Sequence, residues 1–425
     1  MKRRISRVWR CAMQIRFELE QINRILKDVK NIFVQESIPV NLIRTKMGTK
    51  QEAEDSHTVW TEFENGGQWG GYDKHQQFAF EVVIPEEWKE NEAALFISTG
   101  GQEGWDIQNP QFLCTVNGEK KQGVDVNHRL IRLEQKPGQK VSVWLMGHSG
   151  FKEEKSMFYA SLQRRNLLAE KFYYHAYVPF RAALLLPESS MERREIMEVL
   201  KQVVSTLDLR DMSSQTFYES MEKACELLEG AFYKEIPEKD NLHPTVTGIG
   251  HTHIDIAWLW DVAQTREKVV RSVSTVLQYM DRYPDYTFMM SQPQLYEFVK
   301  EEAPELYEKI KERIKEGRWE ADGGMWVEAD TNLTSGESLA RQFLYGTRFF
   351  EKEFGVRCKT LWLPDVFGYS AAIPQLLAQC DIPYFYTTKM DWNDHNRMPH
   401  DTFWWKGIDG SKCLTAFSTT TNAVD

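Results

Sequence analysis

From Pro244 onward the sequence alternates between strand-like and helix-like patterns, and this alternation constrains the fold more than any other feature. Thr245 to Ile254 reads as a strand, Val262 to Tyr283 as a helix, Tyr286 to Met290 as a strand, and Leu295 to Glu316 as a helix rich in i,i+4 Glu and Lys pairs. Trp319 to Val327, Lys359 to Leu363 and Ile382 to Thr387 continue as strands, with helices over Gly336 to Phe354 and Ala371 to Cys380 between them. Leu414 to Ser418 reads as the start of a sixth strand. Such alternation implies a parallel sheet, and the lack of a Gly-rich phosphate loop favours a barrel over a dinucleotide-binding fold. A closed barrel needs about seven or eight units, so the expectation is a barrel left incomplete where the chain stops.

The preceding sequence has a different texture. From Ser6 to about Ile38, apolar residues recur at helical spacing, which predicts one or two amphipathic helices stopped by Pro39. From Trp60 to about Asn166 come short apolar runs: Phe78 to Ile84, Ala94 to Ser98, Phe112 to Val116 and Val141 to Met146. Asn117-Gly118 is a hairpin signal, and the set reads as a β-sandwich. A Glu- and Lys-rich helical stretch from Met191 to Tyr233 leads into the linker Ile236 to Pro244. The expected domains are a helical segment over 1–59, a sandwich over 60–170, a helical connector over 171–244 and the α/β domain over 245–425.

Composition excludes several classes. The 425 residues carry 52 Lys and Arg against 62 Asp and Glu, a formal charge of −10, which disfavours a nucleic-acid backbone as partner. No stretch approaches the roughly 18 consecutive apolar residues of a membrane span. The basic start is followed by a segment broken by Arg7, Arg10 and Arg16, unlike a secretory signal. The six cysteines have no C-x-x-C pair, as expected for free thiols in the cytoplasm.

The sharpest chemical signal is His251-Thr-His253-Ile-Asp255-Ile-Ala-Trp258-Leu-Trp260, at the end of the first expected strand. Residues two apart on a strand share a face, so His251, His253 and Asp255 would point together into the C-terminal mouth of the sheet. Imidazole with carboxylate suits Zn²⁺ or another borderline divalent ion; hydrogen-bonded polar residues at a strand end are the plainer alternative. Asp365, in Trp362-Leu-Pro-Asp365-Val-Phe-Gly-Tyr-Ser370, would project into the same mouth after its own strand, with a helix cap as the alternative better filled by Ser370. Lys389 follows another strand, as a mouth residue or a solvated lysine. Glu328 and Asp330 follow the third strand, where acid, base, substrate acceptor and helix cap all stay open. Eight of the fourteen tryptophans fall after Pro244, and Trp258 is placed to stack on a sugar ring.

Taken in order, the His251 to Trp260 motif, Ser291-Gln-Pro-Gln-Leu-Tyr296, Gly323-Gly-Met-Trp-Val-Glu-Ala-Asp-Thr-Asn332, Trp362 to Ser370, and Trp392-Asn393 through Thr402 to Gly410 resemble the catalytic domain of glycoside hydrolase family 38 α-mannosidases. The resemblance is to the branch holding cytosolic and bacterial enzymes, and the sandwich segment is similar to the one preceding the domain there. It implies a distorted (β/α)7 barrel and retaining hydrolysis of terminal α-mannosyl residues from oligosaccharides or glycans. It implies His253, Asp255 and Asp365 as ligands to Zn²⁺, or sometimes Co²⁺, with Asp365 also the nucleophile. Trp258 and Lys389 would meet the substrate, and His251 would steer a ligand from outside the metal shell. It also allows a homo-oligomer of the complete enzyme. A further histidine ligand and the general acid are expected beyond residue 425, so the chain alone is expected to turn over poorly. Two rivals are a noncatalytic carbohydrate- or partner-binding fragment and an amidohydrolase-type metal hydrolase. The latter needs later histidines, and only His395 and His400 follow His253.

Overall fold

The computed structural model describes residues 2–100, 110–234, 248–391, 395–396 and 398–418, with side chains from Phe17 onward. The linker Ile236 to Pro244, the first three residues of the expected strand at Thr245, and Trp392-Asn393 lie outside the described residues.

The first helix, Lys2–Asn31, is shorter than the apolar spacing predicts. Val34–Pro39 is a strand, paired antiparallel with Tyr159–Arg165, so Pro39 ends a strand and not a helix. Tertiary pairing overrides local periodicity here: the Asn166 N–H donates to the Phe33 carbonyl at 2.8 Å and draws the segment onto the sheet. Ile43–Gly48, also within 1–59, pairs with His75–Val83. The body of the sandwich follows the sequence reading closely. His75–Val83, Lys140–His148, Gln111–Val116 and Glu119–Val124 are consecutive neighbours in one sheet, packed against a second sheet containing Ala93–Ser98 and Tyr159–Arg165. Between them Phe78 and Phe158 stack with centroids 4.1 Å apart, surrounded by Trp69, Phe112 and Leu145. Asn117 and Gly118 both take positive φ, 51° and 86°, as a tight hairpin turn requires.

Helices Leu167–Leu185, Met191–Thr206 and Gln215–Leu228 pack with the end of the first helix around Leu26, Phe172, Leu200 and Phe217. Each of the three is capped: the side chains of Asn166, Ser190 and Ser214 accept backbone N–H groups from the first turn.

In the α/β region the strands are shorter than their apolar runs, except the last, which begins earlier, at Lys412. Gly250–His251, Phe288–Met290 and Trp319–Ala321 form a parallel three-stranded sheet. Thr360–Trp362, Tyr384–Thr387 and Lys412–Phe417 form a second parallel set, to which Thr402–Lys406 adds an antiparallel edge. The helix expected over Leu295 to Glu316 is two, Pro293–Glu302 and Pro304–Lys315, because Pro304 has no N–H to continue the ladder. The described strands form an open sheet and do not close into a barrel.

What joins the two sheets is a buried carboxylate. Asp322, directly after Trp319–Ala321, accepts the N–H groups of Gly323 at 2.7 Å, Lys359 at 3.1 Å and Thr360 at 3.0 Å. Beside it Gly323 bridges Leu361 in parallel register. A glycine is needed there, since a Cβ at residue 323 would lie 2.3 Å from the Ser291 carbonyl oxygen. Helix Gly336–Phe354 locks the following turn from outside; a Cβ on Gly346 would meet the Met325 carbonyl carbon at 2.5 Å.

The sandwich rests on helix Val262–Arg282. The Gly123 N–H donates to Thr275 Oγ1 at 2.9 Å, Arg271 donates to Gln111 Oε1 at 3.0 Å, and His75 Nε2 lies 2.7 Å from Glu267.

Replacing Asp322 with Ala strands three backbone donors, each worth about 1–3 kcal/mol when left unpaired in the interior. Chemical denaturation should show a loss of about 3 kcal/mol or more, with a smaller loss for Asp322→Asn, which keeps one oxygen; equal stability of Asp322→Ala and wild type would refute the latch.

Candidate metal centre

Every polar side chain of the centre follows the C-terminal end of a parallel strand. His253 and Asp255 follow Gly250–His251, Glu328 follows Trp319–Ala321, Asp365 follows Thr360–Trp362, and Lys389 follows Tyr384–Thr387. A parallel sheet aims all its strand ends one way, so residues far apart in sequence arrive at one rim.

The strand face expected to align His251, His253 and Asp255 is absent, because the strand ends at His251. His251 turns inward. Its Nδ1 donates to the Met289 carbonyl at 3.0 Å, which leaves Nε2 to accept the Trp362 indole N–H at 3.3 Å. Burial pushes its pKa down, so the ring is neutral with both nitrogens occupied.

His253 and Asp255 do come together, in irregular backbone held from behind. The Trp260 indole N–H reaches the Asp255 carbonyl at 3.3 Å and Thr265 Oγ1 at 3.1 Å, and the Thr265 hydroxyl donates to the Ile256 carbonyl at 2.6 Å. His253 Nε2 lies 3.1 Å from Asp255 Oδ1 and 3.8 Å from Asp365 Oδ2. One donor atom from each of His253, Asp255 and Asp365 falls within 4.8 Å of the others. Metal–ligand bonds of about 2.0–2.2 Å leave donors separated by such distances, and one imidazole with two carboxylates is a donor set suited to Zn²⁺. Burial works against charge on His253, but Asp255 and Glu328 together outweigh it and raise its pKa to about 10.

Asp365 is fixed from the other side. Lys389 Nζ sits 2.6 Å from Asp365 Oδ1, and the Lys389 side chain is only 10% exposed, so this is no solvated surface lysine. The loop between Leu363 and Tyr369 is stitched to the end of the neighbouring strand by Thr388, whose Oγ1 donates to the Pro364 carbonyl at 2.6 Å, and is braced from within by the Tyr369 hydroxyl, which donates to the Val366 carbonyl at 2.8 Å. The next helix, Ile373–Gln379, starts at Ala372 with no side-chain cap, so neither Asp365 nor Ser370 caps it; Ser370 instead accepts the Ala372 N–H at 3.4 Å in the turn before it.

Trp258 stands 55% exposed at the rim, edge-on to Trp260 with centroids 5.5 Å apart. Glu328 and Asp330, left open by the sequence, separate clearly. Asp330 accepts the N–H groups of Asn332 and Leu333 in a local turn, while Ser335 caps the helix. Glu328 points to the centre, with Oε2 3.0 Å from His253 Nδ1, and its backbone N–H donates to Gln292 Oε1 at 3.2 Å. Ser291 and Gln292 were legible only as part of a motif; nothing in the spacing assigns them to Glu328.

The sequence model described as Glycosyl hydrolases family 38 N-terminal domain matches residues 243–423. Alpha-mannosidase G of Dictyostelium discoideum is 40% identical over 258 residues, 61% of this chain and 23% of that protein. Alpha-mannosidase of Saccharomyces cerevisiae is 42% identical over 243 residues, 55% and 22% of the two chains. Alpha-mannosidase 2C1 of Homo sapiens is 49% identical over 173 residues, 41% and 17%. The chain thus spans about a fifth of the length of these curated relatives. Among solved structures, an alpha-mannosidase from Enterococcus faecalis V583 aligns over 40% of this chain and 19% of its own at 22% identity and a TM-score of 0.36. Residues 243–423 of this chain therefore belong to glycosyl hydrolases family 38, as its N-terminal domain.

Proposed function

We propose that the complete protein is a metal-dependent retaining α-mannosidase acting on terminal α-mannosyl residues of oligosaccharides or glycans, and that this chain supplies its nucleophile and most of its metal site. The observation that carries the reading is the meeting of His253, Asp255 and Asp365 at one rim of a family 38 domain, with Lys389 against Asp365. In the complete enzyme the open sheet would close into the distorted (β/α)7 barrel. Cytoplasmic location belongs to the same reading and is supported by the free thiols of Cys114, Cys225, Cys358, Cys380 and Cys413. Self-association of the complete enzyme is part of it too.

His253, Asp255 and Asp365 would hold Zn²⁺ or Co²⁺. When bound, such an ion would supply Lewis-acid polarisation of sugar hydroxyls and electrostatic stabilisation of the oxocarbenium-like transition state. Lys389 holds the plane of the Asp365 carboxylate and keeps positive charge beside it. Asp365 would attack the anomeric carbon as the glycosidic C–O bond breaks, the leaving oxygen taking a proton from a general acid outside this cluster. Water, giving its proton to the same group that had acted as acid, then displaces Asp365 from that carbon, and two inversions give retention. Trp258, exposed at the rim, would stack beneath the sugar and shield it from water.

Two outcomes test the reading. In the complete enzyme Asp365→Asn should lower kcat on an aryl α-mannoside by at least about a thousandfold, since the covalent step loses its nucleophile; near-normal turnover would remove Asp365 from that role. The second concerns pH. With the His253 pKa raised to about 10, the ring is protonated at neutral pH and must lose that proton to bind metal. Apparent Zn²⁺ affinity of the chain, measured by chelator competition, should therefore rise about tenfold per pH unit between about pH 6 and 8. A flat profile would contradict it.

A further inference from the structure

We propose that Glu328 is the positioning residue of the metal centre: it keeps the His253 proton on Nδ1 and so presents Nε2 to the cation. The proposal rests on the metal reading given above and extends it to a residue that binds neither metal nor sugar.

The geometry divides the two sides of the imidazole. Nε2 faces Asp255 and Asp365, while Nδ1 faces Glu328 Oε2 at 3.0 Å. Ring nitrogens of imidazole point in widely divergent directions, so Glu328 cannot share the ion that Nε2 meets. The approach of Oε2 is too oblique for a formed hydrogen bond, and neither buried atom has another hydrogen-bond partner among the described residues. Two orphaned polar atoms therefore confront each other, and a small rotation of the ring pairs them as Nδ1–H donating to Oε2. A buried carboxylate oxygen left without a donor is costly enough to favour that pairing.

Glu328 itself is held rigidly. Its side chain is only 6% exposed. The Ser291 hydroxyl donates to Oε1 at 2.9 Å, which commits that oxygen and leaves Oε2 for the ring. Gln292 then ties the carboxylate's backbone to the ligand's: its Oε1 accepts the Glu328 N–H at 3.2 Å and its Nε2 donates to the Ile254 carbonyl at 2.9 Å. Ile254 lies between His253 and Asp255, so one buried amide sets the distance between positioning carboxylate and metal ligands. Carboxylates placed behind a ligating histidine in this way raise ligand basicity and fix its orientation.

The test uses the 425-residue chain, with Co²⁺ and Zn²⁺ as probes. Co²⁺ affinity by chelator competition should weaken about 10–100-fold in Glu328→Ala, with an altered visible Co²⁺ spectrum and a metal-free melting curve close to wild type. Glu328→Gln, which can still accept from Nδ1, should recover most of that loss. In the Zn²⁺-loaded wild type, NMR should show a slowly exchanging proton on His253 Nδ1. Wild-type Co²⁺ affinity and spectrum in Glu328→Ala, or no such proton in the wild type, would overturn the proposal while leaving the metal site standing. Should Glu328→Ala fail to fold, the Nδ1 proton and Glu328→Gln decide. Failure of the wild type to bind either ion would overturn the metal reading together with it.

Discussion

The centre depends on the Asp322 carboxylate. His253, Asp255 and Glu328 are carried by the first parallel sheet, Asp365 and Lys389 by the second, and the backbones of the two are tied through Asp322 and the bridge beside it, with the Trp362 indole on His251 as a side-chain contact between them. Burial penalises charge on this aspartate and raises its pKa, with the three backbone donors opposing that effect. It is therefore a polar group kept inside because the chain needs two strand ends held in register. A shift of one residue there would turn Leu361 away from Gly323 and carry Asp365 off the rim on which His253 waits.

Around that register the centre sorts its charges by partner. Asp255 and Asp365 face one ring nitrogen, Glu328 faces the other, and Lys389 lies beyond Asp365. Three acids near one imidazole would repel one another if their oxygens were left equivalent. Each is instead given its own company: a hydroxyl for Glu328, an ammonium for Asp365, and the ring itself for Asp255. The division turns one ring nitrogen toward the two carboxylates at the rim and closes the other behind a buried one.

The sequence made much of this legible, and its failures have physical causes. The helix at Gly336–Phe354 and the hairpin at Asn117-Gly118 are written locally, by amphipathic spacing and by residues that tolerate positive φ. Val34–Pro39 was unreadable as a strand because its pairing partner lies more than a hundred residues away. The meeting of His253, Asp255 and Asp365 could be anticipated, since each follows a strand of one parallel set. The mechanism expected for the first two, a shared strand face, was wrong: the strand stops at His251, and side-chain bonds from Trp260 and Thr265 hold the backbone there instead. For Glu328 acid, base, substrate acceptor and helix cap all stayed open, because the residues that place it, Ser291 and Gln292, reach it only through the fold.

Gly123 has a consequence for how such a protein can change over generations. A side chain at this sandwich residue would begin 3.1 Å from the Cβ of Arg271, on the helix that follows the rim segment bearing His253 and Trp258. At this one point the two surfaces meet backbone against helix, whereas beside it side chains such as Gln111 and Arg271 come between them. A side chain added at residue 123 must therefore be answered by a shift of the helix, and with it of the segment that the helix follows. One close approach at a glycine thus ties the placement of the sandwich to that of the rim that carries His253.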